Sequence, residues 1–361
     1  MEINQPPYYI RITIKILLAI LIFYVLHAAL DVLIPFTVAV LFSFLLMPVS
    51  NKLIKWKFPP AIAILCSIIL AFVIVGGLLY FFYSQIISFA EDLPLLQAKL
   101  LEKVEFLQRF VNETFRITKE QQNVLVKSKL QENITDSGLL LLNLFSSTGS
   151  FIANFALVTI YVFFLTLYKK KFKQFIEAIV SNGNHNSYFE IVKKVAVVSQ
   201  NYLKGIFLDV LILSVLNSTG FLLLGIEHAI LFGVLASVLN IIPYIGVLIG
   251  SILPVLMALL TKDEIGYAIG AAGVCVTVQF IDNNFITPYV VGSSVSINPL
   301  TATIALIISA SVWGLAGMVL CLPLTGMLKV VCDHVEGLKP IGFLIGEEVD
   351  YRKNKFKLGR K

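Results

Sequence analysis

The sequence predicts an all-α polytopic membrane protein with about eight membrane segments, two of them broken or re-entrant, and an extracytoplasmic helical insert. Composition is the first reason. Of 361 residues, 58% are hydrophobic and 14% charged, and mean hydropathy is +0.88. Soluble domains run about 45–50% apolar and about 25% charged, and their surface grows too fast with size to hide such an excess. The second reason is a series of apolar runs near the length of about 20 residues that crosses a hydrocarbon core about 30 Å thick. The third is that lysine clusters fall between alternate runs, as loops on one side of a membrane should. A cytosolic enzyme, a secreted disulfide scaffold and a disordered chain are excluded together.

The first run, 12–30, follows Arg11 and Lys15 like a signal peptide. It ends in no small-x-small cleavage site, and Asp31 and Pro35 lead directly into the second run, 32–49, so it reads as a retained span. Residues 61–83 form the third span, and domain 1–83 holds all three. The segment 84–148 is the insert. Leu93, Leu96, Leu100, Val104, Leu107 and Val111 recur at helical spacing, and Thr118-Lys119-Glu120-Gln121 fits a capping box that would open a second helix. This hairpin would bury its stripe within the chain or against another copy. The fourth span lies in 149–168. A linker, 169–200, begins with Lys169, Lys170, Lys171 and Lys173 and continues amphipathically through Phe172, Phe175, Ile176 and Ile179. Such a segment suits the cytoplasmic headgroup layer.

The membrane domain 201–331 starts with a fifth span at 205–226. Residues 229–260 are too many for one upright helix, and Asn240-Ile241-Ile242-Pro243-Tyr244-Ile245-Gly246 interrupts them. Residues 265–281 form a shorter run. Residues 300–331 are again long and are interrupted at Trp313-Gly314-Leu315-Ala316-Gly317. Either long segment fits a kinked span or a re-entrant hairpin, because both readings leave the basic tail 332–361 on the same side. An inside amino terminus puts Lys52, Lys55 and Lys57, the 169–173 lysines, Lys193, Lys194 and the tail together in the cytoplasm, with the insert outside.

Charge inside a membrane is costly, about 2.5–3.5 kcal/mol on insertion scales, so such residues need a partner or a wet cavity. Asp209 lies within the fifth span with Asn217 on nearly the same face, flanked by Ser214 and Ser218. Asp282, Asn283 and Asn284, with Gln279 before them and Asn298 beyond, form the densest polar cluster in apolar sequence. Two readings stand for it: a substrate or cation site built with Asn240 and freed carbonyls, or a loop reaching water. Pro288, Gly292 and Pro299 should prevent a continuous helix after it. Pro243, Gly246, Gly314, Gly317 and Pro323 mark the broken helices, which serve as ligand sites in carriers and as packing devices elsewhere. His27, Asp31, Glu227 and His228 read as interfacial.

No cofactor or metal is expected: His27, His185, His228 and His334 are scattered, and Cys66, Cys275, Cys321 and Cys332 read as small buried hydrophobes. No His-Glu-x-x-His, Gly-x-Ser-x-Gly or nucleotide-binding P-loop occurs, so neither an intramembrane enzyme nor a self-contained ATPase is expected. The net charge of +6 sorts to membrane sides, and no nucleic-acid partner is expected.

From Asn240 onward the chain resembles the autoinducer-2 exporter family of PerM-like bacterial permeases. The matching pieces are 240–246, Asp282-Asn283-Asn284-Phe285-Ile286-Thr287-Pro288, Val290-Val291-Gly292, Asn298-Pro299-Leu300, Gly314-Leu315-Ala316-Gly317 and Leu322-Pro323-Leu324. The layout of three spans, outer insert, fourth span, basic linker and signature half agrees as well. The chain departs at Val247, where a proline often stands, and at Ser309-Ala310-Ser311, which replaces a glycine-rich run. The resemblance implies a bacterial inner-membrane secondary transporter or exporter of a small solute or signalling molecule, working as a homo-oligomer, with a pentamer the first expectation. A cation/proton antiporter, with a monovalent cation as ligand, is the alternative within this class. A channel-like or structural oligomer is the alternative outside it.

Overall fold

The structure is a computed structural model that describes residues 7–115, 148–179, 185–243, 245–290 and 296–347. Among these residues the chain is helical, joined by short turns and one isolated bridge, Ile297 with Gly346. Six helical segments are long and apolar enough to cross a membrane, and shorter apolar helices accompany them. The expected capping box at 118–121, Gly292 and the arginine- and lysine-rich tail at 352–361 lie outside the described residues, as do the side chains of Val104, Leu107 and Val111.

The helices divide between two compact units. The first comprises residues 1–67, 158–207 and 287–361, and the second residues 68–157 and 208–286. In chain order, α1 is Tyr8–Ala28, α2 Leu30–Lys55 and α3 Pro60–Phe115. Thr148–Leu167 is α4, Lys169–Ile179 α5 and His185–Leu223 α6. Ala229–Leu239 is α7, Ile245–Thr261 α8, Ile265–Ile281 α9 and the single turn Thr287–Val290 α10. Pro299–His334 is α11, and Lys339–Ile345 is α12.

Two boundaries differ from the sequence reading. The third span does not stop at Tyr83. It continues as one helix of 56 residues through Pro94, about 84 Å long at 1.5 Å per residue. The insert therefore begins as an extension of the span. Its stripe finds a partner within the second unit, since Leu96 is buried in a core with Phe221, Ile226, Phe232 and Met257. Likewise α6 begins at His185 and absorbs the second half of the linker. The thiol reading is corrected at Cys66, which is exposed on α3, while Cys321 and Cys332 are buried and Cys275 is half-buried.

The two long broken segments each fold back on themselves as a helical hairpin. In the second unit, a β-carbon on Gly246 would fall 1.7 Å from Leu239 O, and one on Gly250 would fall 2.8 Å from Ala236 Cα. Residues equidistant from the tip thus face each other, the signature of antiparallel arms. The tip is a tight turn, in which Ile242 N–H donates to Leu239 O at 2.8 Å and Gly246 N–H to Ile242 O at 3.0 Å. In the first unit, α11 folds back at Gly314, whose φ of 58° and ψ of −135° suit glycine. A β-carbon on Gly317 would sit 1.9 Å from Ser309 O. Asn298, at the start of the first arm, meets Leu344 and Gly346, and Gly346 packs on Lys329 of the second arm. Pro323 is buried within the second arm and does not break it.

The tip of the α11 hairpin is held by the end of α1. Trp313 Nε1–H donates to Leu26 O at 3.1 Å, and His27 Nδ1 lies 3.1 Å from Val312 O.

Candidate functional site

The polar residues of the second unit converge on the α7–α8 tip. On α6, Asp209, Leu213 and Asn217 follow at intervals of four, so one face carries all three. Asp209 and Asn217 are both buried, as the periodicity implied. Across from Asn217 stands α7: Asn217 Nδ2 donates to Ser237 Oγ at 3.3 Å, and Ser237 Oγ–H donates to Gly233 O at 2.7 Å. The two helices touch backbone to backbone here, because a β-carbon on Gly233 would meet Ser218 N at 2.5 Å.

Asp282 occupies the opposite wall. It does not end a helix at a loop reaching water; α9 runs on through a five-residue π-helical turn, Asp282–Ile286, into α10. A π-turn widens the helix and re-aims side chains, and such turns recur at functional sites. Pro288 follows it directly inside α10 and does not end the helix there. Asp282 is 2% exposed. Its Oδ2 accepts from Asn240 Nδ2 at 3.0 Å and from Gln279 Nε2 at 3.3 Å. The residue that closes α7 at the hairpin tip is therefore bound to the carboxylate of the π-turn.

The two acids meet. The Asp282 carboxyl lies within hydrogen-bonding reach of Asp209, although 73 residues separate them in sequence. Asp209 Oδ1 is buried and receives no N–H or hydroxyl donor. Two acids brought together away from water need a partner between or beside them, and the amides of Asn240 and Gln279 supply part of it.

Beside this pair a small cavity of about 20 Å³ is lined by Asn217, Ser237, Asn240, Ser251, Cys275 and Gln279 among others. That space exceeds the roughly 10–15 Å³ needed to hold one water and suits a water or a monovalent cation. It is far too small for an organic solute. Hydroxyl and amide oxygens, with a carboxylate behind them, are the donor set of a hard cation or a proton relay. No cluster of three metal-ligating side chains occurs among the described residues.

The other expected site residues are placed elsewhere. Asn283 and Asn284 are exposed. Asn283 Oδ1 accepts from Gln279 Nε2 at 3.1 Å, and Asn284 Nδ2 donates to Phe280 O at 2.8 Å. Asn298 belongs to the first unit, where it caps α11 by accepting from Thr301 N–H at 2.8 Å. Its amide also donates to Leu344 O at 2.6 Å and Gly346 O at 3.0 Å. Those bonds are a structural staple at Pro299, the first residue of α11. Sequence reasoning missed Ser237, Ser251 and Cys275. Ser237 could have been found, since it lies three residues before Asn240 on the same helix face.

Six helical segments long and apolar enough to cross a membrane, and in the second unit buried acids gathered at the tip of a helical hairpin, suit a membrane transport protein. The chain belongs to the AI-2E transporter family, whose profile matches residues 14–337. It is 26% identical over 317 residues to YueF of Bacillus subtilis, covering 82% of each chain. It is 24% identical over 352 residues to YhhT of Escherichia coli K12, covering 96% of this chain and 97% of YhhT. Both relatives are named for transport. A shorter match, 31% identical over 134 residues, covers 37% of this chain and 37% of YrrI of Bacillus subtilis. The AI-2 transport protein TqsA of Escherichia coli K12 is 20% identical over 350 residues, with 94% of this chain and 96% of TqsA covered.

Proposed function

We propose that this protein is a secondary transporter of the bacterial inner membrane that moves a small solute or signalling molecule at the expense of an ion gradient. It has no catalytic chemistry of its own. The observation that carries the reading is the buried Asp209–Asp282 pair tied through Asn240 to a re-entrant tip. Acids at membrane depth are proton or cation relays before anything else, and a broken helix beside them gives a relay that moves with the backbone. Family membership supports transport, and the similarity to the AI-2 transport protein TqsA makes AI-2 one solute to try. The cavity's size favours a second reading of the same site, cation/proton antiport, because it fits an ion and excludes a solute. The lysine distribution supports a cytoplasmic side for both termini. Self-assembly, with five copies as the working number, completes the proposal.

Proteoliposomes with an imposed proton gradient provide the test. Asp282→Asn should abolish gradient-driven flux of solute or sodium while the protein still elutes as the wild-type assembly. Unchanged flux would remove Asp282 from the mechanism. A channel-like oligomer predicts passive flux that survives this substitution. Deleting 101–144, which spares Asp92 and Leu96, separates that reading, since a mere assembly insert would leave coupled flux intact while dispersing the oligomer.

A further inference from the structure

Two lysine clusters far apart in sequence are joined in the first unit. Lys169 Nζ donates to Asn51 Oδ1 at 2.6 Å across 118 residues of chain. This bond brings the end of α2, with Lys52, Lys55 and Lys57, to the start of α5, with Lys169, Lys170, Lys171 and Lys173. No Asp or Glu lies within 50–58 or 169–176. Burial, and then the neighbouring Lys170, hold the Lys169 ammonium below its ordinary pKa, a sign of crowded positive charge.

Aromatic rings accompany the lysines. Lys52 Nζ stands 5.6 Å from the Trp56 ring centre, and Lys171 Nζ 5.4 Å from that of Tyr168. Exposed Ile160, Phe164, Tyr168, Phe172 and Phe175 step by three or four residues, so an apolar strip continues from α4 along α5. Phe164 and Tyr168 stack at 5.9 Å. At about 100° per residue, Lys169 and Lys171 fall on either side of the apolar positions of α5. A surface apolar at one end and cationic at the other matches one kind of molecule.

We propose that this junction binds an anionic phospholipid, its phosphate among the lysines of α2 and α5 and its acyl chain along the Phe164–Phe175 strip. A second copy of the chain would bring the same positive charge against it, and a soluble acidic peptide would leave the strip uncovered. The lipid satisfies both ends. The proposal does not depend on the transport reading.

The test uses the full-length protein equilibrated in vesicles of phosphatidylglycerol and phosphatidylcholine with identical acyl chains. After extraction into detergent, retained lipid is counted by mass spectrometry. Wild type should retain phosphatidylglycerol in preference to phosphatidylcholine. Substituting Lys170, Lys171 and Lys173 together by Gln should reduce that retention by roughly tenfold or more, since each lysine contributes to anionic-lipid attraction. The pair Lys52→Gln and Lys55→Gln, on the other half of the junction, should give a loss in the same direction. A control removing three charges elsewhere, at Lys99, Lys103 and Lys262, should retain the lipid. Equal retention of both lipids by wild type, full retention by the α5 variant, or equal loss in the control would each overturn the proposal.

Discussion

Replacing Gly246 by alanine tests the hairpin and the site together. The added β-carbon would stand 1.7 Å from Leu239 O and 2.3 Å from Leu239 C. A carbon and a carbonyl oxygen need about 3.2–3.5 Å, so the arms must part by about 1.5 Å at the tip. The obstacle is backbone, which has no rotamer to escape into, and overpacking of this kind costs about 1–3 kcal/mol. The displacement falls on Leu239 and hence on Asn240, whose amide reaches Asp282 across 3.0 Å. A shift of 1.5 Å breaks that bond and leaves a buried carboxylate with one donor fewer, adding about 1–3 kcal/mol. Gly273→Ala supplies the matched control, because nothing lies within 4 Å of its β-carbon and alanine favours a helix by about 0.5–1 kcal/mol over glycine. Thermal unfolding followed by fluorescence-detected size exclusion should therefore rank Gly246→Ala well below wild type and Gly273→Ala at or above it. Equal melting of the two variants would refute the packed-hairpin reasoning.

Asp209→Asn should preserve or raise the melting temperature, because its amide offers the neighbouring carboxylate a donor, while gradient-coupled flux in proteoliposomes falls to background. Asn298→Asp keeps the α11 cap but loses two amide donors to Leu344 O and Gly346 O, so stability should drop by about 1–3 kcal/mol; a temperature melt reads this, and an unchanged value would argue against the staple. Asp92→Ala removes the partner of His228, which lies 2.8 Å away and is 10% exposed at its side chain. Because Asp92 is half-exposed, the loss should be about 1 kcal/mol, measured as a small fall in melting temperature.

The spans, the shared face of Asp209 and Asn217, and the polar stretch around Asp282 were legible because local spacing specifies them: 3.6 residues per turn, and charge set against apolar neighbours. The meeting of Asp209 with Asp282 was not legible. It depends on how α6 and α9 cross, and their contact runs through Gly220 against Val274 and Gly270 against Leu224, where nothing polar advertises it. The hairpins were half legible. Pro243, Gly246 and Gly314 announced breaks, but a kink and a reversal use the same residues, and only the facing of Gly250 with Ala236 separates them. Asn298 illustrates the opposite error. An asparagine before a proline that opens a helix is first an N-cap, and that bland chemistry accounts for every bond it makes. The tie between Lys169 and Asn51 could not be read from either segment alone.

The long α3 helix has a mechanical consequence. Asp92 and Phe89 grip it where α7 begins: His228 pairs with Asp92, and Phe89 packs edge-on against His228 and Phe232. Just beyond this grip sits Pro94, which leaves one rung of the helical ladder unmade without ending the helix. From Asp92 to Phe115 the rod extends about 35 Å, and a tilt of about 10° at the grip would swing its end by about 6 Å. A small rearrangement of the α7–α8 hairpin would thus be magnified at Phe115, and the helix would act as the pointer of a gauge whose zero is set by the His228–Asp92 pair.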